Sequence, residues 1–454
     1  MSFRARVDSW APRQRFEVTA WNSTGGVWEF LRQRLRARKE RTAAPARIVV
    51  DLTRARRAAS GGFPAWLAIV GVAALLVAGC GERSPPTPTA CGPSGSPARD
   101  PNRGVDPAAA RRLQGTLDRV RREQEIPGAA AAVVIGECVW VGASGLADVR
   151  TREPVRAETL FQTGSITKTF VAAVVLKLAE DGVLGLDDRL SRWVPEFSDS
   201  RRITLRQLLN HTAGTADFVT HPRFLDAQRR RGLAAAWTPR QLLRYVPEPL
   251  AKPGERWIYS NTNYLLLGLA VERATHSSVG RELHRRLLPR ATFERIVFQG
   301  EDRPRGAVAV GYQQLDGDPA LESTLNNPYV PSTAEATIVW ASGNLLASAE
   351  DLARAGDRLL RGELLRAESR REMTQWVKAL EPPEYGLGLA HDELAGERVW
   401  GHSGDIVGFH ADLWYLPKSR VTVAALINYQ AGGESPDKDR LAESLISDIR
   451  ALGP

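Results

Sequence analysis

Phe161-Gln162-Thr163-Gly164-Ser165-Ile166-Thr167-Lys168-Thr169-Phe170 decides how this chain is read. Within it, Ser165-Ile166-Thr167-Lys168 opens a helical pattern and sets a hydroxyl and an amine one turn apart on one helix face. That pairing suits a serine nucleophile with a lysine base. Ile166, Phe170, Val174 and Leu178 recur at four-residue spacing and Gly182 supplies a stop, so the spacing predicts a helix with a buried stripe and Ser165 at its N-terminus. Backbone N–H groups there can stabilise an oxyanion, and the positive end of the helix dipole biases Lys168 toward the neutral base. Lys168 stands out further because the chain holds 7 lysines against 54 arginines, yet one of them occupies this position among apolar neighbours.

A bare S-x-x-K is a weak signal, and Ser435-Pro436-Asp437-Lys438 matches it too, inside a polar stretch that reads as a solvated loop entering the last helix. Two further signals, each found once and in fixed order, separate the two matches: Tyr259-Ser260-Asn261 and His402-Ser403-Gly404. Together the three resemble the motif set of the serine beta-lactamase and penicillin-binding-protein superfamily, which is S-x-x-K, then S-D-N or Y-x-N, then K-T-G or a variant. The branch most resembled is that of class C beta-lactamases and D-alanyl-D-alanine carboxypeptidases. LLNHTAG (Leu208–Gly214), PGERWIYSNTNY (Pro253–Tyr264) and WGHSGDIVGF (Trp400–Phe409) read like that branch as well, and the resemblance runs from about Asp106 to the C-terminus.

The resemblance implies that Ser165 attacks a carbonyl carbon while Lys168 and Tyr259 shuttle its proton to the leaving group. Asn261 is expected to hydrogen-bond Lys168 and a substrate amide. The third motif, His402, Ser403 and Gly404, is expected on a substrate-binding strand, with the N–H of Asp405 joining that of Ser165 as the oxyanion hole and the Asp405 side chain uninvolved. Gly404 fits a strand that a substrate approaches closely. Lysine and tyrosine both titrate near pH ~10 in water, so the site must depress at least one of them. His402 departs from the lysine of beta-lactamases, which supplies a permanent cation for a substrate carboxylate. A mostly neutral imidazole fits a carboxypeptidase, and it equally fits an esterase or amidase. Taken singly, Tyr259 reads as a core aromatic, Asn261 as a turn residue and His402 as a structural histidine; their order carries the functional reading.

Other chemistries find little support. The chain has no G-x-S-x-G elbow, no H-E-x-x-H, no cysteine pairs at metal spacing and no Gly-rich phosphate loop, so neither metal nor cofactor is implied. Seven histidines are scattered, and His211 in the His-Thr-Ala-Gly turn reads as structural.

Residues 1–58 carry 14 Lys plus Arg against 5 Asp plus Glu, a surplus equal to the formal net charge of +9. The remainder is neutral overall, so the charge gives no ground for a nucleic-acid partner. Phe63 to Gly79 is an almost uninterrupted apolar run behind Arg54, Arg56 and Arg57, closed by Val77-Ala78-Gly79-Cys80. It resembles a bacterial lipoprotein signal in which Cys80 is lipidated and anchors the chain at the outer face of the cytoplasmic membrane. The basic segment 1–62 makes the run late for a signal. Starting at Val49 or Val50, with 1–48 outside the true start, gives an ordinary signal length, and an N-in signal anchor is the competing reading. Residues 81–104 are rich in Pro, Gly and Ser and read as a tether, with Cys91 available to pair with Cys138.

Residues 105–454 suit one two-lobed hydrolase domain of roughly 350 residues. Asp106-Pro107 begins a helix carrying Leu113, Leu117 and Val120. Ala129–Ile135 with Val139–Ala143 reads as a hairpin, Arg398–Ser403, Phe409–Leu416 and Val421–Ile427 as strands, and Leu441, Leu445 and Ile449 as one face of a last helix. Thr204 to Gln207 looks like a capping box, and the polar stretch Gln299–Pro331 is a candidate cleft lining. The class this predicts is α+β and beta-lactamase-like: an antiparallel sheet flanked by terminal helices, with a mostly helical lobe inserted between its strands. The expected activity is that of an exported, membrane-tethered serine hydrolase, a D-alanyl-D-alanine carboxypeptidase or beta-lactamase-like enzyme acting on peptidoglycan-type peptides or small acyl substrates, with beta-lactams as ligands. The alternatives are an esterase of the same fold and a catalytically silent wall-binding module.

Overall fold

The computed structural model describes residues 102, 104–232, 235–314, 321–323, 334–380, 382–430 and 439–452. The lipobox with Cys80, the tether apart from residues 102 and 104, Cys91 and the second S-x-x-K at Ser435 lie outside the described residues. Cys138 is disulfide-bonded, and its partner also lies outside them.

Apolar runs from both ends of the chain make one nine-stranded antiparallel sheet. Its strands are β1 (Gly128–Ile135), β2 (Cys138–Asp148), β3 (Glu153–Pro154), β4 (Val377–Lys378), β5 (Glu384–Tyr385), β6 (Ala390–Leu394), β7 (Glu397–Ile406), β8 (Phe409–Leu416) and β9 (Val421–Ile427), in the spatial order β3-β2-β1-β9-β8-β7-β6-β5-β4. The join between the ends is the β1–β9 ladder, with Ala129 opposite Ile427 and Ile135 opposite Val421. Every residue of β1, β8 and β9 is buried, because helices cover both faces of the sheet.

Alternation along the strands sorts the side chains into two cores. Ala129, Ala131 and Val133 face α1 (Pro107–Glu123) and the last helix, Arg440–Ala451, through Leu113, Leu117, Leu445 and Ile449. Ala130, Ala132 and Val134 face the larger core with α2 (Ile166–Glu180), α3 (Asn261–Thr275) and α4 (Ala349–Arg361); the last helix is α5. Asp106 caps α1 by accepting from the amides of Ala108 and Ala109, with Pro107 at the first helical position. Thr204 and Gln207 form the expected capping box on the short helix Leu205–Leu209. This three-layer arrangement is the α+β architecture that the sequence predicts.

One expectation is sharpened. α2 is buried on nearly every side rather than along a stripe, because it runs between the sheet and the helical lobe. Of the Gln299–Pro331 stretch, Tyr312–Gln314 pairs in parallel with Tyr429–Gln430, while residues 315–320 and 324–331 lie outside the described residues. Among the described residues, no helix is long and apolar enough to cross a membrane.

Candidate active site

Ser165 lies at the start of α2 in the helical region (φ −63°, ψ −11°) and makes no capping bond through its side chain. Its hydroxyl is therefore available one turn from Lys168, whose Nζ stands 2.9 Å from Ser165 Oγ. The lysine is fully buried, and Nζ also donates to Asn261 Oδ1 at 2.8 Å and to the main-chain oxygen of Ser342 at 2.9 Å. Burial pushes its pKa down to about 7, against a smaller opposing pull from the Asp217 carboxylate. An amide oxygen and a carbonyl can only accept, whereas a hydroxyl can also donate. A neutral amine thus keeps its two N–H bonds on Asn261 and Ser342 and turns its lone pair to the Ser165 O–H.

Asn261 is the first residue of α3, after Ser260 in an extended conformation. Its Nδ2 donates to Asp217 Oδ2 at 2.8 Å, which fixes the amide with Oδ1 toward the lysine. The Tyr259 ring centroid lies 4.9 Å from Lys168 Nζ, and the ring stacks 4.4 Å from that of His211. His211 Nδ1 accepts from the Ser260 amide at 3.3 Å and from Asn263 Nδ2 at 2.9 Å, so this buried ring pins the Tyr259–Asn261 segment. The structural role read for His211 thus becomes a specific one.

The strand register decides what the third motif offers. β7 and β6 meet at a two-residue turn with Leu394 opposite Glu397, and β7 and β8 meet with Ile406 opposite Phe409. Odd-numbered residues of β7 therefore bond toward β6 and even-numbered ones toward β8. β6 reaches only as far as Gly401, so past that point the amides of Ser403 and Asp405 face the Ser165 loop. A Cβ added to Gly404 would stand 2.0 Å from the Thr163 carbonyl oxygen and 2.9 Å from the Ser165 nitrogen. Glycine is needed at 404 because the strand lies against the Ser165 loop itself, a nearer cause than the approach of a substrate.

His402 faces the cluster, 6.2 Å from the Tyr259 ring between centroids. Its Nε2 lies 3.0 Å from the Tyr385 hydroxyl, and its Nδ1 lies against the Ser403 carbonyl oxygen. A carbonyl only accepts, so Nδ1 carries the proton and Nε2 accepts from Tyr385. Burial, helped by the charge of Lys168, holds the ring down to about 3, and it is neutral at working pH. Both ring nitrogens are thus engaged within the protein. Ser403 and Asp405 alternate to the opposite face of the sheet, and what they present here is main chain.

The structure thus brings Ser165, Lys168, Tyr259, Asn261, His402, Gly404 and the Asp405 backbone together. Asp217, Tyr385 and the Ser342 carbonyl join them without a motif to announce them. Glu335 accepts from the Val407 amide at the tip of the β7–β8 turn and from the Gln162 side chain, and burial pushes it up to about 7.

Residues 110–447 match the model of the family described as Beta-lactamase, and the chain belongs to that family. It is similar to a D-aminopeptidase of Brucella anthropi, 26% identical over 70% of this chain and 59% of the relative, and to Esterase EstB of Burkholderia gladioli, 36% identical over 37% and 45%. The chain thus spans about half the length of these curated relatives. Among solved structures, a D-stereospecific amidohydrolase from a Streptomyces species aligns at a TM-score of 0.63 with 29% identity, over 75% of this chain and 98% of the other.

Proposed function

We propose that this chain is a serine acyl hydrolase. Ser165 Oγ bonds to the carbonyl carbon of an amide or ester as Lys168 takes its proton. The amides of Ser165 and Asp405 hold the oxyanion, and Tyr259 passes the proton to the leaving nitrogen or oxygen as that bond breaks. Water then attacks the acyl-enzyme and frees the acid. The carrying observation is a buried lysine, depressed to about 7, whose acceptor-only partners aim its lone pair at the serine.

For substrate class, the engaged and neutral His402 favours acyl donors that need no cation for a carboxylate, such as D-aminoacyl amides, peptides with a free D-amino end, and esters. The names of the D-aminopeptidase and amidohydrolase relatives support this reading. The D-alanyl-D-alanine carboxypeptidase or beta-lactamase-like reading is second, favoured by the intact Tyr259-Ser260-Asn261 motif. The assembled cluster argues against a silent binding module.

Intact-mass measurement after incubation with a D-aminoacyl p-nitroanilide, a p-nitrophenyl ester, penicillin and a D-Ala-D-Ala peptide tests this. Turnover of either of the first two, with all adducts lost in Ser165→Ala, supports the reading. Release of D-alanine with no anilide or ester turnover moves the assignment to the second, and no adduct with any probe removes both.

We further infer export and lipid attachment at Cys80, on the strength of the Phe63–Gly79 run and Val77-Ala78-Gly79-Cys80. Metabolic labelling with an alkyne fatty acid is expected to mark the wild type and not Cys80→Ala. A mature protein retaining Trp10, Trp21 or Trp28 contradicts it.

A further inference from the structure

The hairpin that carries the third motif has a second buried polar cluster on its other face. His410 lies directly across from Asp405 in the β7–β8 register, at a position without ladder hydrogen bonds, where facing side chains come closest. Its Nδ1 is 2.8 Å from Asp405 Oδ1, and its Nε2 is 3.1 Å from Asp412 Oδ2 and 3.5 Å from Asp439 Oδ1. Trp414 Nε1 donates to the other Asp412 oxygen at 3.1 Å. His410 is 3% exposed and Asp412 1%. With carboxylates at both nitrogens, the ring donates twice, which is the imidazolium form. Asp405 comes from β7, Asp412 from β8 and Asp439 from the start of α5.

Asp405 is also the residue whose amide turns toward Ser165. On that edge β7 has β6 as a partner only through Gly401, so β8 alone carries the donor segment. The fit there is tight: a Cβ built on Gly164 would lie 3.0 Å from the Asp405 oxygen and 3.1 Å from its nitrogen. Small tilts of the Asp405 peptide therefore change the spacing between the two amides. A buried ion cluster contributes little net stability, since desolvation offsets most of the Coulomb gain. Fixing the place of one main-chain donor is a task for which directional, charged hydrogen bonds are suited.

The geometry points to the Asp405 carboxylate and His410 as positioning residues that lock the peptide of the oxyanion donor to the far face of the sheet and the start of α5. This rests on the acyl-transfer reading above. The Asp405 side chain, which the sequence leaves without a role, holds the donor from behind.

The test uses the full chain and its Asp405→Ala, Asp405→Asn and His410→Gln variants, assayed with a p-nitrophenyl ester and with a boronic acid that forms a tetrahedral adduct on Ser165. Asp405→Ala is expected to lower kcat roughly ten- to a hundredfold with KM nearly unchanged, and to weaken the boronate by about the same factor. Asp405→Asn still accepts from Nδ1–H and is expected to recover most of the loss. His410→Gln should match Asp405→Ala, and the double variant should add little to either single one. A role in folding alone would lower Tm without splitting kcat from KM and without rescue by asparagine. Should Asp405→Ala not fold, the Asp405→Asn and His410→Gln pair carries the same comparison. Variants within twofold of wild type in both kcat and boronate affinity overturn the inference. A wild-type chain that neither cleaves the ester nor binds the boronate at Ser165 removes the acyl-transfer reading instead.

Discussion

Two buried basic groups lie on opposite faces of the β7–β8 hairpin, and their proton affinities move in opposite directions. Lys168 is fully buried with neutral acceptors around Nζ and the Asp217 carboxylate one side chain away, beyond Asn261, and it falls to about 7. His410 is equally sequestered, but carboxylates sit at 2.8 and 3.1 Å from its two nitrogens and hold it well above the ordinary histidine range despite the burial. Burial alone therefore does not set the charge; what decides is whether the countercharge makes direct contact or acts through an intervening amide. One face keeps an amine that titrates near 7, and the other keeps a charge fixed.

The comparison breaks most visibly at Lys168. Lys168→Met is expected to lower kcat by about a thousandfold or more, since it removes the amine that stands 2.9 Å from Ser165 Oγ. The same variant reports on stability. The folded value of about 7 lies below the ordinary 10.5, so the unfolded chain binds more protons between those limits and wild-type stability rises with pH across that window. Below pH 7 the buried lysine weighs against the fold by an amount on the order of several kcal/mol. Thermal melts should show Lys168→Met at its best relative to wild type near pH 6, with the difference shrinking toward pH 10. A difference independent of pH contradicts the depressed lysine.

Asp217→Asn sharpens the contrast. It removes the one charge that raises the lysine and frees the Asn261 amide to turn over. The rising limb of kcat/KM, expected near pH 7 in wild type, should move to lower pH, with a loss of about tenfold at the plateau as Asn261 loses its orientation. A smaller effect is expected of Tyr385→Phe, which takes away the donor to His402 Nε2 and should cost a few-fold in rate, on the scale of one hydrogen bond of roughly 1 kcal/mol. Smallest of all is Glu335→Gln. Glu335 also titrates near 7, so a limb that stays in place after this substitution belongs to Lys168, and one that vanishes belongs to Glu335.

How far the sequence could be read depended on whether a contact is local or crosses the fold. β1, β8 and β9 were legible because burial on both faces writes uninterrupted apolar runs between turn residues, and α1 because Asp106-Pro107 is a capping pair. Ser165 and Lys168 were legible because one helical turn joins them. Asp217 and Tyr385 were not: β5 is two residues long and has no periodicity, and Asp217 meets Asn261 across 44 positions of chain. The Asp405 side chain looked idle because its partner is set by strand register, which places His410 opposite it. Gly404 suggests a close approach by a substrate, whereas the neighbour the structure shows is Thr163, and only the packing of β7 on the Ser165 loop reveals that.

The central claim is that a neutral Lys168 takes the proton of Ser165, and its most direct test is the pH dependence of adduct formation with a fluorophosphonate, followed by intact mass and mapped to a residue. The account predicts a single adduct on Ser165 whose rate rises once, with a midpoint near 7, and then levels. A rate that climbs steadily to pH 10, or an adduct on another residue, contradicts it.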